Sequence, residues 1–430
     1  MNAHRISSIL ALVGAATICA ATICTVTFGA VTLAANSAFA QAPTHPGTAA
    51  AAAPSPSAAA PQLPPPVPFE QALLLAANNL FSKADMPSGT ATPVSLVIDP
   101  LVDGMTGIQS NTTRAMERRV IDLVSKSYPA FKIEPFTTAA VAKAPMVFIG
   151  TFTPINLAGQ ATGTRDAFRV CLALLDLKSG KIISKGFARA TPEGIEHAPV
   201  AYFNDSPVWT ADPAIQAYIR SCQGTKAGDP ISQAYADRVL AAAFLTDAIN
   251  AYNDKRYKEA LELYRTVQKT PGGDQLRTYN GLYLASQKLN RRTEAADAFA
   301  KVIDYGLAND RLAVKFLFRP GSNQLWSDPR SATPYDMWFK TIAGKLQARN
   351  ACLEIVGHSS PTGPEPINIR LSNLRAEYVK DRIQTLSPAM AKRMIANGVG
   401  SKEPLVGTGK DNASDALDRR VEFKPIANCG

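Results

Sequence analysis

Residues 352–383 read CLEIVGHSSPTGPEPINIRLSNLRAEYVKDRI, a buried strand, a polar loop and a helix in succession. Leu353, Ile355 and Val356 supply strand character. Gly357, Pro361, Gly363, Pro364 and Pro366 exclude helix from the loop that follows. From Leu371 the period becomes helical, with Leu371, Leu374, Tyr378, Val379 and Ile383 spaced to share one side. Arg375 lies one turn from both Leu371 and Val379 and so shares their side. A guanidinium in the first turns of a helix, beside a polar loop at a strand end, suits a carboxylate. An ordinary surface arginine satisfies the same spacing.

Several motifs in order carry a resemblance. Gly357-His358-Ser359-Ser360 is followed by Asn368, Leu371-Ser372, Arg375-Ala376 and Val379, and later by Asp418-Arg419-Arg420-Val421-Glu422. This resembles the OmpA-like C-terminal family, whose pattern is G-H-T-D, N-x-x-L-S-x-x-R-A-x-x-V and N-R-R-V-E. Residues 315–325, KFLFRPGSNQL, resemble the family's first strand. The resemblance covers roughly residues 313–426. It implies a β/α sandwich with a mixed sheet, and non-covalent binding of the diaminopimelate-containing stem peptide of peptidoglycan. It implies that Arg375 holds a stem-peptide carboxylate, that Asn368 and the loop containing Ser359 shape the pocket, and that Arg420 stands nearby on the last strand. The family's acidic residue, which meets the ligand ammonium, is Ser360 here. A neutral hydroxyl makes a weaker hydrogen bond than an ion does. Glu365, in the same loop, is a candidate substitute.

The chain has 430 residues, enough for two or three domains, and 46% of them are hydrophobic, enough for a core. Its formal charge of +10 suits anionic polymers or head groups, but Lys and Arg are scattered without a basic, aromatic-interleaved stripe, which argues against nucleic acid. Arg5 precedes a weakly apolar run from Ile6 to Ala35, and Ala38-Phe39-Ala40 is a small-x-small cleavage site. We read residues 1–40 as a signal peptide; the same run is long enough to be an uncleaved anchor. Cys19 and Cys24 each follow Ile, which argues against lipid attachment. Cys171, Cys222, Cys352 and Cys429 remain, an even number in an exported chain. Their connectivity is not deducible from sequence; Cys171 with Cys222 and Cys352 with Cys429 keeps each pair within one domain. The three histidines after residue 40 lie far apart, so neither a metal nor a cofactor is expected.

Residues 41–68 are mostly Ala, Pro, Ser, Thr and Gly and read as a tether. Residues 69–229 read as an α/β domain: a helix at 69–84, strands at 93–100, 131–135 and 145–152, a helix at 111–127, and a hairpin of 168–177 with 181–188. Residues 190–229 read as irregular, with Tyr202 and Trp209 as packing groups. Asp99, Asp103 and Asp176 stand at strand ends and turns, where carboxylates serve the backbone, and they make a weak metal or hydrolase set. From Asp99 to Gly107 and from Met146 to Thr151 this domain weakly resembles the α/β domains of the curli-secretion and flagellar outer-membrane-protein families. Residues 230–311 read as helices in which Ala260 and Tyr264 recur as Ala295 and Phe299, near the tetratricopeptide (TPR) period. A plain helical linker is an equal reading of that stretch. Residues 312–430 form the OmpA-like domain, with helices expected at 335–348 and 389–397.

The sequence therefore describes a multidomain α/β + α + α/β chain. The leading function is a non-enzymatic cell-envelope scaffold of a Gram-negative bacterium, expected in the periplasm, with outer-membrane association as the further option. It binds peptidoglycan through the last domain and envelope proteins through the repeats, with membrane contact only through an uncleaved N-terminus or a partner. The alternative is a periplasmic assembly module that has lost diaminopimelate binding, with Ser360 as its mark. No Ser/His/acid set or nucleophile elbow supports an enzyme.

Overall fold

The computed structural model describes residues 63–84, 92–143, 145–209, 212–309, 312–319, 321–325, 334–349, 352–407, 409 and 414–429. The expected export segment and most of the 41–68 tether lie outside them. Helix α1 (Phe69–Ser82) leads to β1 (Val94–Ile98) and the short β2 (Val102–Asp103). Helix α2 (Asn111–Ser127), β3 (Phe131–Glu134) and the single turn α3 (Thr138–Val141) precede three long strands, β4 (Met146–Ile155), β5 (Ala167–Asp176) and β6 (Lys181–Ala190). The sheet order is β3-β1-β4-β5-β6, with β2 pairing the far end of β4. Strands β3, β1 and β4 run parallel, which needs the crossovers α2 and α3; β4, β5 and β6 are antiparallel. Ser110 caps α2 through a capping box with Thr113.

All ten residues of β4 are buried, so this sheet needs cover on both faces. Phe148, Leu172 and Leu174 face α1 and α2, while Val147, Ile149, Ala173 and Leu175 face the opposite layer. That second layer corrects the reading of 190–229 as irregular. Helices α4 (Ala201–Asp205) and α5 (Pro213–Gln223) form there, separated by β7 (Val208–Trp209). Asp212 caps α5 through Ile215 N, and Tyr218 of α5 accepts from Gly150 N at 3.0 Å inside the sheet. Cys171 on β5 bonds Cys222 on α5, with Cα atoms 6.2 Å apart. The second expected pair also forms: Cys352 bonds Cys429, Cα atoms 5.0 Å apart.

The short helix α6 (Gln233–Ala236) precedes two helical hairpins, α7 (Val239–Asn253) with α8 (Tyr257–Lys269) and α9 (Leu276–Lys288) with α10 (Arg292–Ala308). Ala260, Tyr264, Ala295 and Phe299 are all fully buried, so the recurrence seen in the sequence is a packing recurrence. Gly281 lets α9 close on α8: a Cβ there would stand 2.2 Å from the Tyr264 ring.

The C-terminal region follows with β8 (Leu312–Val314), α11 (Tyr335–Ala348), β9 (Cys352–Gly357), α12 (Glu365–Leu386), β10 (Met394–Gly398) and β11 (Val421–Ile426). Its sheet order is β10-β9-β11-β8-β7, mixed as expected, since β9 and β10 are parallel and the other pairs antiparallel. Two expectations change. Residues 389–397 are not one helix: a 3-10 turn (Pro388–Arg393) ends and β10 begins, because Met394 to Gly398 pair along β9. Residues 315–325 are not a strand beyond Val314; they fold over as a loop with one bridge between Phe318 and Leu325. Strand β7 also crosses the boundary placed at residue 229, because it adds to the C-terminal sheet. One hydrophobic core runs through the helical hairpins and this sheet without a break. No helix of the described residues is long and apolar enough to cross a membrane.

The three candidate acids of the first sheet serve the fold. Asp103 accepts from Met105 N, Thr106 N and Thr106 Oγ1, and Asp176 accepts from Lys178 N and Ser179 N. Asp99 is buried and accepts from Tyr235 Oη at 2.8 Å. Burial raises its pKa to about 7, against the opposing pull of Tyr235 and Arg277. A carboxyl whose folded pKa is raised favours the fold fully below about pH 4, and loses that contribution as pH rises through about 7. Asp99→Asn should therefore gain melting temperature relative to the wild type between pH 5 and pH 8, by the equivalent of roughly 1–4 kcal/mol. A difference independent of pH would contradict this. Reduction, or Cys352→Ser, should cost roughly 2–5 kcal/mol, read as a lower denaturant midpoint.

Candidate functional site

The site is built where α12 crosses the ends of β9 and β10. Leu353 and Ile355 point into the core, and Gly357 ends β9 beneath the helix. A Cβ on Gly357 would lie 2.0 Å from Ser372 O, and one on Gly398 would lie 2.2 Å from Asn373 N. Both glycines are thus required by the approach of α12 rather than by backbone conformation. The helix starts at Glu365, earlier than the Leu371 expected from periodicity, because Pro366 sits in its first turn, where no N–H is needed. Its buried residues are Asn368, Ser372, Arg375, Ala376, Val379 and Ile383; Leu374 is 36% exposed.

Beside this helix lies a cleft of about 410 Å³. Ser359, Ser360, Thr362, Asn368, Arg375 and Arg419 line it, with Leu317, Ile367 and Leu371 as apolar wall. Arg375 is only 3% exposed. Its Nε donates to Ser322 O at 3.1 Å, and its guanidinium lies 5.1 Å from the Phe318 ring centroid. Ser322 and Phe318 thus hold Arg375, and Leu317, Phe318 and Gly321 form part of the wall of the same cleft. Asn368 Nδ2 reaches Gly363 O at 3.5 Å, and Ser360 and Thr362 share a hydroxyl contact at 3.1 Å. Ser359 is buried, its N–H donates to Gly400 O at 2.9 Å, and its Oγ has no hydrogen-bond partner among the described residues.

Four of the five expected site residues, Arg375, Asn368, Ser359 and Ser360, meet at this cleft; Arg420 does not. Its Nε donates to Glu422 Oε1 at 2.6 Å and its Nη1 to Glu403 O at 3.3 Å. The cleft position belongs to Arg419, in the bend that precedes β11. Nor does Glu365 replace the missing acid: its carboxylate accepts from Ser401 N and Ser401 Oγ. Phe318 and Ser322 carried no site signal in the sequence, because their role depends on a loop folding back onto α12.

His358 shares the Arg420 side. Its ring nitrogens lie 3.9 Å from Glu403 and 3.6 Å from Glu422. Burial first, then the Arg420 charge, lowers its pKa to about 3, so the ring is neutral. Burial would raise Glu422, but Arg420 and His358 bring it net below the usual carboxylate range. Among the described residues no group of three or more His, Cys, Asp or Glu could hold a metal ion.

Residues 317–416 match the OmpA family. The solved structures similar to this chain include the peptidoglycan-associated lipoprotein from Burkholderia pseudomallei, 25% identical over 26% of this chain and 89% of that one, TM-score 0.23. They include the cell wall anchor of the T6SS from Pseudomonas aeruginosa, 24% identical over 27% and 80%, TM-score 0.22. The periplasmic domain of Helicobacter pylori MotB is 16% identical over 27% and 76%, TM-score 0.22. No curated protein matches the chain.

In this OmpA-like region the two close-contact glycines make a direct prediction. Gly357→Ala should push α12 off β9 and cost roughly 1–3 kcal/mol. Gly363→Ala, with open space around its Cβ position but a φ of +79°, should cost less and leave α12 in place. Urea unfolding of the two variants checks the order.

Proposed function

We propose that this protein is a non-enzymatic envelope scaffold that associates with peptidoglycan through its OmpA-like region. The observation that carries the reading is Arg375, buried and held by Ser322 and Phe318, yet lining an open cleft with Ser359, Asn368 and Arg419. A positive, hydroxyl-rich cleft with an aliphatic wall suits a carboxylate on a short aliphatic stem, as in a stem peptide. The match of residues 317–416 to the OmpA family supports the same ligand class. In this reading residues 1–40 export the chain to the periplasm, residues 41–68 tether it, and the TPR-like hairpins α7–α10 meet envelope proteins.

Ser360 favours a second reading. It stands where the resemblance expects an acid, and its neutral hydroxyl lies 3.1 Å from that of Thr362. The region would then be an assembly module that no longer grips a ligand ammonium, and protein partners alone would define the function.

Sedimentation with purified peptidoglycan separates the two. The wild type should co-sediment, and Arg375→Gln should bind at least about tenfold more weakly, the value of one charge-assisted hydrogen bond. Equal sedimentation of a folded Arg375→Gln variant removes Arg375 as the anchor. Absence of wild-type sedimentation favours the assembly module.

A further inference from the structure

The chain that leads into cleft residue Arg419 is gripped from the other end of the molecule. Arg165, between β4 and β5, is 9% exposed and donates through Nη2 to Pro404 O at 3.4 Å. Its Nε and Nη1 find no hydrogen-bond partner among the described residues. Its charge acts instead on two buried carboxylates, Asp418 and Asp103. Asp103 belongs to the first sheet. Asp418 immediately precedes Arg419 and organises the loop before it. Its Oδ1 accepts from Leu405 N at 2.5 Å and Val406 N at 2.9 Å, and its Oδ2 from Gly407 N at 2.8 Å. A Cβ on Gly407 would stand 3.2 Å from Arg165 Cγ, so the two segments are in van der Waals contact. Leu417 shares a small cavity with Thr106 and Trp209, a second contact between the same parts. Asp415 also acts electrostatically on Asp418.

We propose that Arg165 is a positioning residue that sets residues 404–407 and, through Asp418, Arg419, so that the N-terminal α/β half governs the affinity of the C-terminal cleft for its anionic ligand. A buried carboxylate wrapped by backbone N–H groups holds its geometry well only when a cation offsets its charge. Removing that cation should loosen the wrapped amides first. The binding part of this inference rests on the peptidoglycan reading. By linkage, a ligand in the cleft must then stabilise the Arg165 contact in return.

Hydrogen exchange and sedimentation on the full chain test it. Arg165→Gln should speed exchange of the 405–407 amides by about tenfold or more. Exchange in β4 and in the core of α12 should stay at wild-type rates, and peptidoglycan sedimentation should weaken several-fold. Arg165→Lys, which keeps the charge, should restore both at least in part. Unchanged exchange at 405–407, or wild-type sedimentation by Arg165→Gln, overturns the proposal while leaving the peptidoglycan reading intact. A wild type that does not sediment ends that reading and the affinity claim with it, and the exchange result then decides the positioning role alone. If Arg165→Gln unfolds, the wild type answers: soluble muropeptides should slow exchange at 156–166 as well as around the cleft. Protection confined to the C-terminal region overturns the coupling.

Discussion

The close approach of α12 to the ends of β9 and β10 is the constraint on which the C-terminal region depends. Side chains at 357 or 398 would collide with helix backbone, so glycine at both positions permits the contact. The contact in turn places Ser372 where its hydroxyl accepts from Gly400 N at 2.9 Å, and that turn carries the carbonyl that receives Ser359 N. Arg375, one turn further along the helix, thereby lands at the cleft. A helix standing off by even an ångström would leave its guanidinium without the Ser322 carbonyl and without the cleft.

Buried charge is distributed on the same plan throughout. Arg375 is backed by a carbonyl and an aromatic face, Arg420 by Glu422, and Arg165 by Asp418 and Asp103. Each cation is thereby spared the full cost of leaving water. Arg375 and Arg419 line the cleft beside α12 and Arg420 does not, so the first two are the groups a ligand anion in that cleft can meet.

The helical hairpins and the OmpA-like region form one packed body rather than beads on a string. Aromatic rings follow one another from Tyr283 to Phe299, Trp338, Phe316, Phe339, Tyr378 and Phe318, with centroids 5.0–6.5 Å apart, and Phe318 faces Arg375. Strand β7 adds a second tie, since Trp209 Nε1 donates to Thr106 O at 2.8 Å while its backbone pairs with β8. Interiors this close-packed transmit displacement, so the continuity links the helical hairpins mechanically to the OmpA-like region.

Local pattern was enough to read most elements of the chain. Period-two and period-3.6 spacing located α1, β1, α2, the β5–β6 hairpin, α11 and the β9–α12 unit; spacing and residue type pointed to Arg375, and the resemblance to the OmpA-like family added Asn368, Ser359 and Ser360. The paired cysteines followed from keeping each bond within one folded region. What sequence could not supply were choices made between distant segments. Residues 394–398 became a strand because β9 offered an edge. Residues 213–223 became a helix that joins α3, α6 and α7 in covering one face of the first sheet. Val208 and Trp209 left their own neighbourhood to extend the second sheet. Whether Arg419 or Arg420 entered the cleft was decided in the turn before β11, which Asp418 ties to residues 405–407. Such outcomes depend on partners far away in sequence, and no local spacing of residues encodes which partner will be there.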